Sequence, residues 1–457
     1  MRISTVAVTF VIVGTMVGGC AYYNGLYNAN RLAKDAERAE REGRESDARS
    51  LWAQVAVKAE SVVARYPQSK HRDDALLLRG EALRATGDCD QAIEPLTQAL
   101  VSSPDSAIRT NSRVLLGLCH YDAARYQVAD SILTPLTNSG DSTLAALAFF
   151  WRGRARLAMG AYAGAAQDLD ACGVPQANLH LAVAYTYLER PQAVRRALSQ
   201  VQPGSIDESQ LLVVLGIVGA VYPDVAGAAV DDWSQNPGLA SEAKGLLQLE
   251  DGERWLERDG VPTAVARFEQ VIVTAPGSRT ARTAEVELIL AELRLADGVE
   301  QLSGMFDRLE GVGPEGQEAA RLRYPQLVAD LGMAAGALEA SGSRGEVAEL
   351  GGSNADLDLF MAAESFRDEW SASTVAAAIF REIPLRFPGS AIAPKALLAA
   401  AWVDPARADS LLNALRRNYP SSPYTLAIAG ALSEEYTAIE DSLRTLLNAR
   451  RRPTSSR

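Results

Sequence analysis

Three histidines and four cysteines are the residues of this 457-residue chain best suited to metal or nucleophilic chemistry. His71, His120 and His180 stand far apart, and none has a second histidine or cysteine at the spacing of an HExxH or CxxC pair, so no metal site is expected. Cys89, Cys119 and Cys172 are an odd set that allows at most one intramolecular disulfide among them, and they read as small buried hydrophobes. "GVGPEG", with Gly311, Gly313 and Gly316, has the outline of a dinucleotide loop. The segment before it reads as helix rather than strand, and Pro314 removes one amide donor, so a helix–helix loop is expected instead. No Gly-x-Ser-x-Gly elbow occurs, and Glu37, Glu40 and Glu42 alternate with Arg38 and Arg41 as on a solvated helix face. No cofactor is expected, and the chain reads as a non-enzyme.

One polar aromatic group invites a contact role: Tyr22, Tyr23, Asn24, Tyr27 and Asn28. In a helix Tyr23 and Tyr27 share one face, and Asn24 and Asn28 another. Tyr23, Tyr27 and Asn28 are therefore candidate partner contacts, with packing of the first helix as the plainer use of the same rings. The six tryptophans, Trp52, Trp151, Trp233, Trp255, Trp370 and Trp402, are the rings a solute or glycan pocket would need. Four of them fall where helices are expected to pack. A net charge of −12 argues against nucleic acid as a partner and against peripheral binding to anionic lipid.

The elements that hold these residues are repeated. "LRGEALRATGDCDQAIEPL" (78–96), "LGLCHYDAARYQVADSIL" (116–133) and "WRGRARLAMGAYAGAAQDL" (151–169) align on Gly80, Gly117 and Gly153. Ala92, Ala129 and Ala165 then coincide, as do Leu96, Leu133 and Leu169, with a period of 36 to 37 residues. Small residues let two helices approach closely while a leucine fills the seam. Gly87 and Gly160 mark the turns between the helices of a pair, where positive φ is needed. Such pairs bury their apolar faces only by stacking, which predicts an all-α solenoid of antiparallel helix pairs. Pro-x-Ser recurs at Pro67, Pro104, Pro276, Pro388 and Pro420, each proline ending one helix and each serine placed to cap the next.

This pattern resembles the tetratricopeptide repeat (TPR) family, with Gly252, Ala264, Phe268 and Pro276 the fullest match and Gly80, Ala92, Leu96 and Pro104 close to it. Ala376, Phe380 and Pro388 match in part, as do Ala408, Leu412 and Pro420. Pro95, Pro135 and Pro384 depart from the pattern and should kink or shorten second helices.

At the start, Arg2, the apolar run Val6 to Val17 and Gly18-Gly19 have the layout of an export signal. Val17-Gly18-Gly19-Cys20 resembles a bacterial lipobox, which implies cleavage between Gly19 and Cys20 and acylation, palmitate included, of Cys20. Two or more acyl chains hold a protein on a membrane stably. In that resemblance Ala21 implies an outer-membrane destination, facing an oxidising periplasm.

The expected organisation is a signal peptide (1–19), an irregular helix pair (20–66), TPR-like repeats (67–172), degenerate helical repeats (173–250), a TPR-like repeat (251–299), a glycine-rich irregular region (300–358), C-terminal repeats with a capping helix (359–449) and a basic tail (450–457). The signal, the cysteine and the "YPQS" units resemble BamD-like outer-membrane lipoproteins, although this chain is longer. The expected role is a scaffold that binds envelope proteins or peptides in its groove and the membrane through lipidated Cys20. A solute- or glycan-binding surface lipoprotein is the alternative.

Overall fold

A computed structural model describes residues 25–312, 325–341, 354–431 and 434–451. Among these residues there are helices and turns and no strands. The chain divides into two compact units, Met1–Gln202 with Val213–Val225, and Pro203–Leu212 with Ala226–Arg457.

The first unit holds α1 (25–41), α2 (Glu45–Arg65), α3 (Arg72–Thr86), α4 (Cys89–Ser102), α5 (Ser106–Asp122), α6 (Tyr126–Leu133), α7 (Ser142–Ala158), α8 (Tyr162–Ala171), α9 (Ala177–Tyr187) and α10 (Pro191–Ser199). From α2 onward each helix packs on the next, and α3, α5, α7 and α9 also touch in succession. The two units share α11 (Glu208–Val221) and α12 (Pro223–Ser234). The second unit continues with α13 (Ser241–Glu257), α14 (Val261–Thr274), α15 (Arg279–Leu295), α16 (Leu302–Gly311), α17 (Pro325–Ala340), α18 (Ala355–Asp368), α19 (Ser373–Arg386), α20 (Ala393–Val403), α21 (Ala408–Asn418), α22 (Pro423–Ile428) and α23 (Glu434–Arg451).

The close approach inside each pair has a steric cause. A Cβ at Gly153 would come 2.7 Å from Leu169 Cγ, and one at Gly252 would come 2.6 Å from Phe268 Cε1. Gly80 faces Leu96 and Gly117 faces Leu133 in the same way. Ala92, Ala129, Ala165 and Ala264 lie fully buried on the second helices. In six hairpins the turn residue has positive φ and follows the seam position by the same offset: Gly87, Ala124, Gly160, Glu189, Asp259 and Ser371. Extending that frame brings in pairs the sequence alignment had left out. Ala36, Gly43 and Trp52 place α1 and α2 on it, and Ala182, Glu189 and Leu198 place α9 and α10 on it.

A charged pair sits beside the seam in two of the hairpins. Arg152, just before Gly153, reaches both carboxylate oxygens of buried Asp168 at 2.8 and 2.6 Å, and Asp168 also accepts from Arg156 at 2.9 Å. At the equivalent places of the α13–α14 hairpin the signs are exchanged: Asp251 precedes Gly252 and accepts from Arg267 Nε at 2.8 Å. Arg267 donates as well to Asp231 and, at 3.1 Å, to the Gly227 carbonyl. Burial works against the Arg267 charge, and Asp231 and Asp251 outweigh it, so its pKa is raised.

Several local expectations resolve differently. Asp105, not Ser106, caps α5 by accepting from Ala107 N at 2.7 Å, whereas Ser278 and Ser422 do cap α15 and α22. A carboxylate one residue earlier outcompetes the hydroxyl for the same amides. Pro135 ends α6 in a 3₁₀ turn over Thr134–Asn138, while α4 and α19 run through Pro95 and Pro384. The terminal stretch, where a capping helix is expected, divides into α22 and α23, with Gly430 at positive φ between them.

Candidate functional site

α7 carries three arginines at alternating positions, and they differ in what holds them. Arg152 is bound to Asp168, and Arg156 bridges Asp168 and Asp130, the latter at 2.6 Å. Arg154 has no carboxylate partner among the described residues. Its guanidinium carbon lies 4.5 Å from the ring centre of Trp151, 5.0 Å from Tyr121 and 5.5 Å from Phe150. Its Nε is shielded from solvent without a hydrogen-bond partner.

The rings come from neighbouring helices because successive first helices of pairs stack side by side. Tyr121, near the end of α5, meets Trp151 of α7 edge-on with centroids 5.1 Å apart, and Tyr126 at 5.5 Å. His180 of α9 lies 5.9 Å from Phe150. Tyr121, Phe150, Trp151, Arg154 and His180 are all half-buried, so the cluster is open on one side. Burial, reinforced by Arg154, pushes the His180 imidazole down to about 4, so it is neutral near pH 7. Burial raises the Tyr121 hydroxyl, partly opposed by the Arg154 charge and by its hydrogen bond to that hydroxyl. The arrangement is therefore one cation held on ring faces beside a neutral imidazole. A guanidinium so placed keeps its affinity for planar anions, carboxylates above all.

Of the residues singled out from the sequence, the seam set lies inside the hairpins. Gly19, Cys20 and Tyr23 fall outside the described residues, as do Gly313, Gly316 and the tail beyond Arg451. Tyr27 is exposed on α1 and Asn28 half-buried beside it. Trp52, Trp233 and Trp370 are buried, Trp151 belongs to the cluster above, and Trp402 is 73% exposed. One cleft of about 430 Å³, lined by Val265, Glu292, Leu295, Met305 and Arg308 among others, carries no aromatic ring. His120 accepts from Arg125 Nε at 3.0 Å, and burial, then Arg125, lowers its pKa. Cys89, Cys119 and Cys172 are buried free thiols. Among the described residues no cluster of three metal-ligating side chains forms, and no helix is long and apolar enough to cross a membrane.

Arg154 was missed in the sequence because "WRGRAR" offers three arginines with nothing to tell them apart. A usable signal was the density of rings near it, Phe149, Phe150 and Trp151 on α7 and Tyr121 one repeat earlier.

Residues 74–106 match the family described as Tetratricopeptide repeat. No curated protein matches the chain in sequence. Similar solved structures include a tetratricopeptide repeat protein from Parabacteroides merdae (14% identity, 58% of this chain and 98% of that one, TM-score 0.36). Another is the TPR2AB domain of yeast Sti1 in complex with pHSP90 (14% identity, 59% and 100%, TM-score 0.24). A third is the Cut9–Hcn1 hetero-tetramer of the APC/C (12% identity, 89% and 96%, TM-score 0.27). Residues 74–106 are thus matched to one tetratricopeptide repeat, within an all-α chain whose helices pair in a TPR-like way.

Proposed function

We propose that the chain is a non-enzymatic scaffold that docks protein partners, tethered to the periplasmic face of an outer membrane through acylated Cys20. The observation that carries the docking role is Arg154. In a chain of net charge −12, with Arg152 and Arg156 beside it both paired to aspartate, one guanidinium rests on three rings with no carboxylate partner among the described residues. A partner segment presenting an acidic side chain would supply that carboxylate, and the surrounding rings would supply the apolar contact. Reading the chain as a solute or glycan binder has less support, since Trp52, Trp233 and Trp370 are buried, Trp151 is covered by Arg154, and neither exposed Trp402 nor any other ring lines the cleft described above.

Photo-crosslinking in the native cells tests this reading. A benzoylphenylalanine in place of exposed Val128, two residues from Tyr126 on α6, should give a discrete protein adduct that Arg154→Ala abolishes and Arg154→Lys weakens. An adduct indifferent to Arg154, or none above that from Val57 on α2, would sink the assignment. The tether is tested separately by mass spectrometry of the N-terminal peptide, where an unmodified Cys20 removes it.

A further inference from the structure

The last helix, α23, is anchored along one stripe. Among its described side chains Leu443 is buried and Tyr436, Ile439 and Glu440 are half-buried, while the others are exposed. Those four stand at i, i+3, i+4 and i+7, the spacing of a helix laid into a groove. Glu440 enters a socket made by two earlier helices. Lys395 of α20 donates to its two carboxylate oxygens at 2.8 and 2.7 Å, and the Tyr424 hydroxyl of α22 donates to Oε1 at 2.7 Å. Tyr424 is itself buried, and Tyr436 meets its ring edge-on with centroids 5.5 Å apart. On its other side Lys395 Nζ lies 5.6 Å from the ring centre of buried Phe360 on α18. Burial works against the Glu440 charge, and the hydrogen bonds from Lys395 and Tyr424 outweigh it, so its carboxyl lies below its ordinary value.

We propose that α23 is exchanged between copies of the chain. Glu440 of each copy enters the Lys395–Tyr424 socket of the other, and the two chains form a dimer closed at both sockets. Three observations carry this. The socket favours being filled, because without a carboxylate an ammonium and a phenol hydroxyl lose their partner where little water reaches them. The fit is detailed, since an occupant must bring a carboxylate, a ring four residues before it and an apolar chain three residues after it. α23 of a second copy brings all three in register, so exchange reproduces the contacts of the closed form. Finally, α22 stops at a turn rather than running on into α23. Gly430 has a φ of +86° and donates to the Ala427 carbonyl at 3.0 Å, and Ala431 donates to the Leu426 carbonyl at 3.0 Å. A change of backbone angles at that glycine redirects α23 with both helices intact. Exchange of an identical terminal element is a low-cost route to a dimer.

Unsubstituted full-length chains test the exchange. Heavy-isotope-labelled and ordinary chains are mixed in equal amounts, incubated, and treated with a carbodiimide, which joins an ion-paired lysine and carboxylate with loss of water. Trypsin cuts at Arg386, Arg407, Arg417 and Arg444, so the Lys395–Glu440 link joins peptides 387–407 and 418–444. The expected product is that pair with one heavy and one light member, in a share that grows with chain concentration. Pairs that are always both heavy or both light show α23 closing on its own chain and overturn the proposal, and absence of the link overturns the socket.

Exchanged charges check the same point by light scattering. Glu440→Lys alone and Lys395→Glu alone should each be monomeric, because like charges then meet in the closed and the exchanged forms. A mixture of the two variants should form a dimer, since exchange restores opposite charges in both sockets. A mixture that stays monomeric overturns the proposal, and the isotope mixture decides by itself even if a variant folds poorly.

Discussion

Asp168 is 3% exposed and accepts hydrogen bonds from two arginines, so it is the residue on which the α7–α8 hairpin depends most for charge balance. Removing one member of a buried ion pair strands the other, at a cost of about 3–5 kcal/mol. Asp168→Ala should therefore lower unfolding stability by that order. Pairing it with Arg152→Ala should cost clearly less than the two single losses summed, as urea titrations of the four chains would reveal; strict additivity would mean the pair is not coupled. His180 gives a pH dependence. Its folded pKa, about 4, lies below the ordinary unfolded value near 6.5. Between those two values the unfolded chain binds a proton that the folded chain refuses, so stability falls as pH drops through that window and is untouched above it. For a shift of this size the loss is about 3 kcal/mol at most. His180→Gln should flatten the profile between pH 7 and 4.5, and equal slopes in both chains would refute the assignment. Neither feature was legible in the sequence. Charges in alanine-rich helices read as solvent-facing, and only packing shows which ones the neighbouring repeat covers.

At the scale of helices, the seam reverses an ordinary rule. Alanine normally stabilises a helix over glycine by about 1 kcal/mol. Gly216 in α11 has open space at its Cβ position, so Gly216→Ala should raise stability by roughly that amount. Gly153→Ala should instead lower it by about 1–3 kcal/mol, because the added methyl meets Leu169 and Asp168. Thermal melts of the two variants should move in opposite directions, and a rise in both would discard the steric account. The seam was readable from sequence wherever glycine met leucine or phenylalanine, since few residue types satisfy that contact. It was unreadable where Trp52 fills the place of leucine. The turns at Glu189, Asp259 and Ser371 were hidden for a related reason: non-glycine residues hold the left-handed conformation there, each at a cost of about 1–2 kcal/mol.

For the whole molecule, the helical class followed from composition and repetition, whereas the Arg154 cluster did not. It is assembled from α5, α7 and α9, so its parts lie one repeat apart in sequence and meet only because those helices stack. If Cys20 carries the tether, Cys20→Ala should shift the chain from the membrane pellet to the soluble fraction of its native cells. A chain that stays with the membrane after that change would point to a different attachment. The acidic body fits a tether of this kind, because anionic headgroups repel it and lipid has to provide the adhesion.

The exchanged signs of the two seam pairs have a consequence for how repeats find their mates. Repetition gives α7 and α13 the same seam glycine, at Gly153 and Gly252, so either could approach the other's partner during folding, a common failure of repeat chains. α7 on α14 would press Arg152 against Arg267, and α13 on α8 would press Asp251 against Asp168. Both wrong pairings enclose like charges where the right ones enclose an ion pair. The two hairpins thus carry opposite polarity at the same seam position, which disfavours the exchange of helices between them.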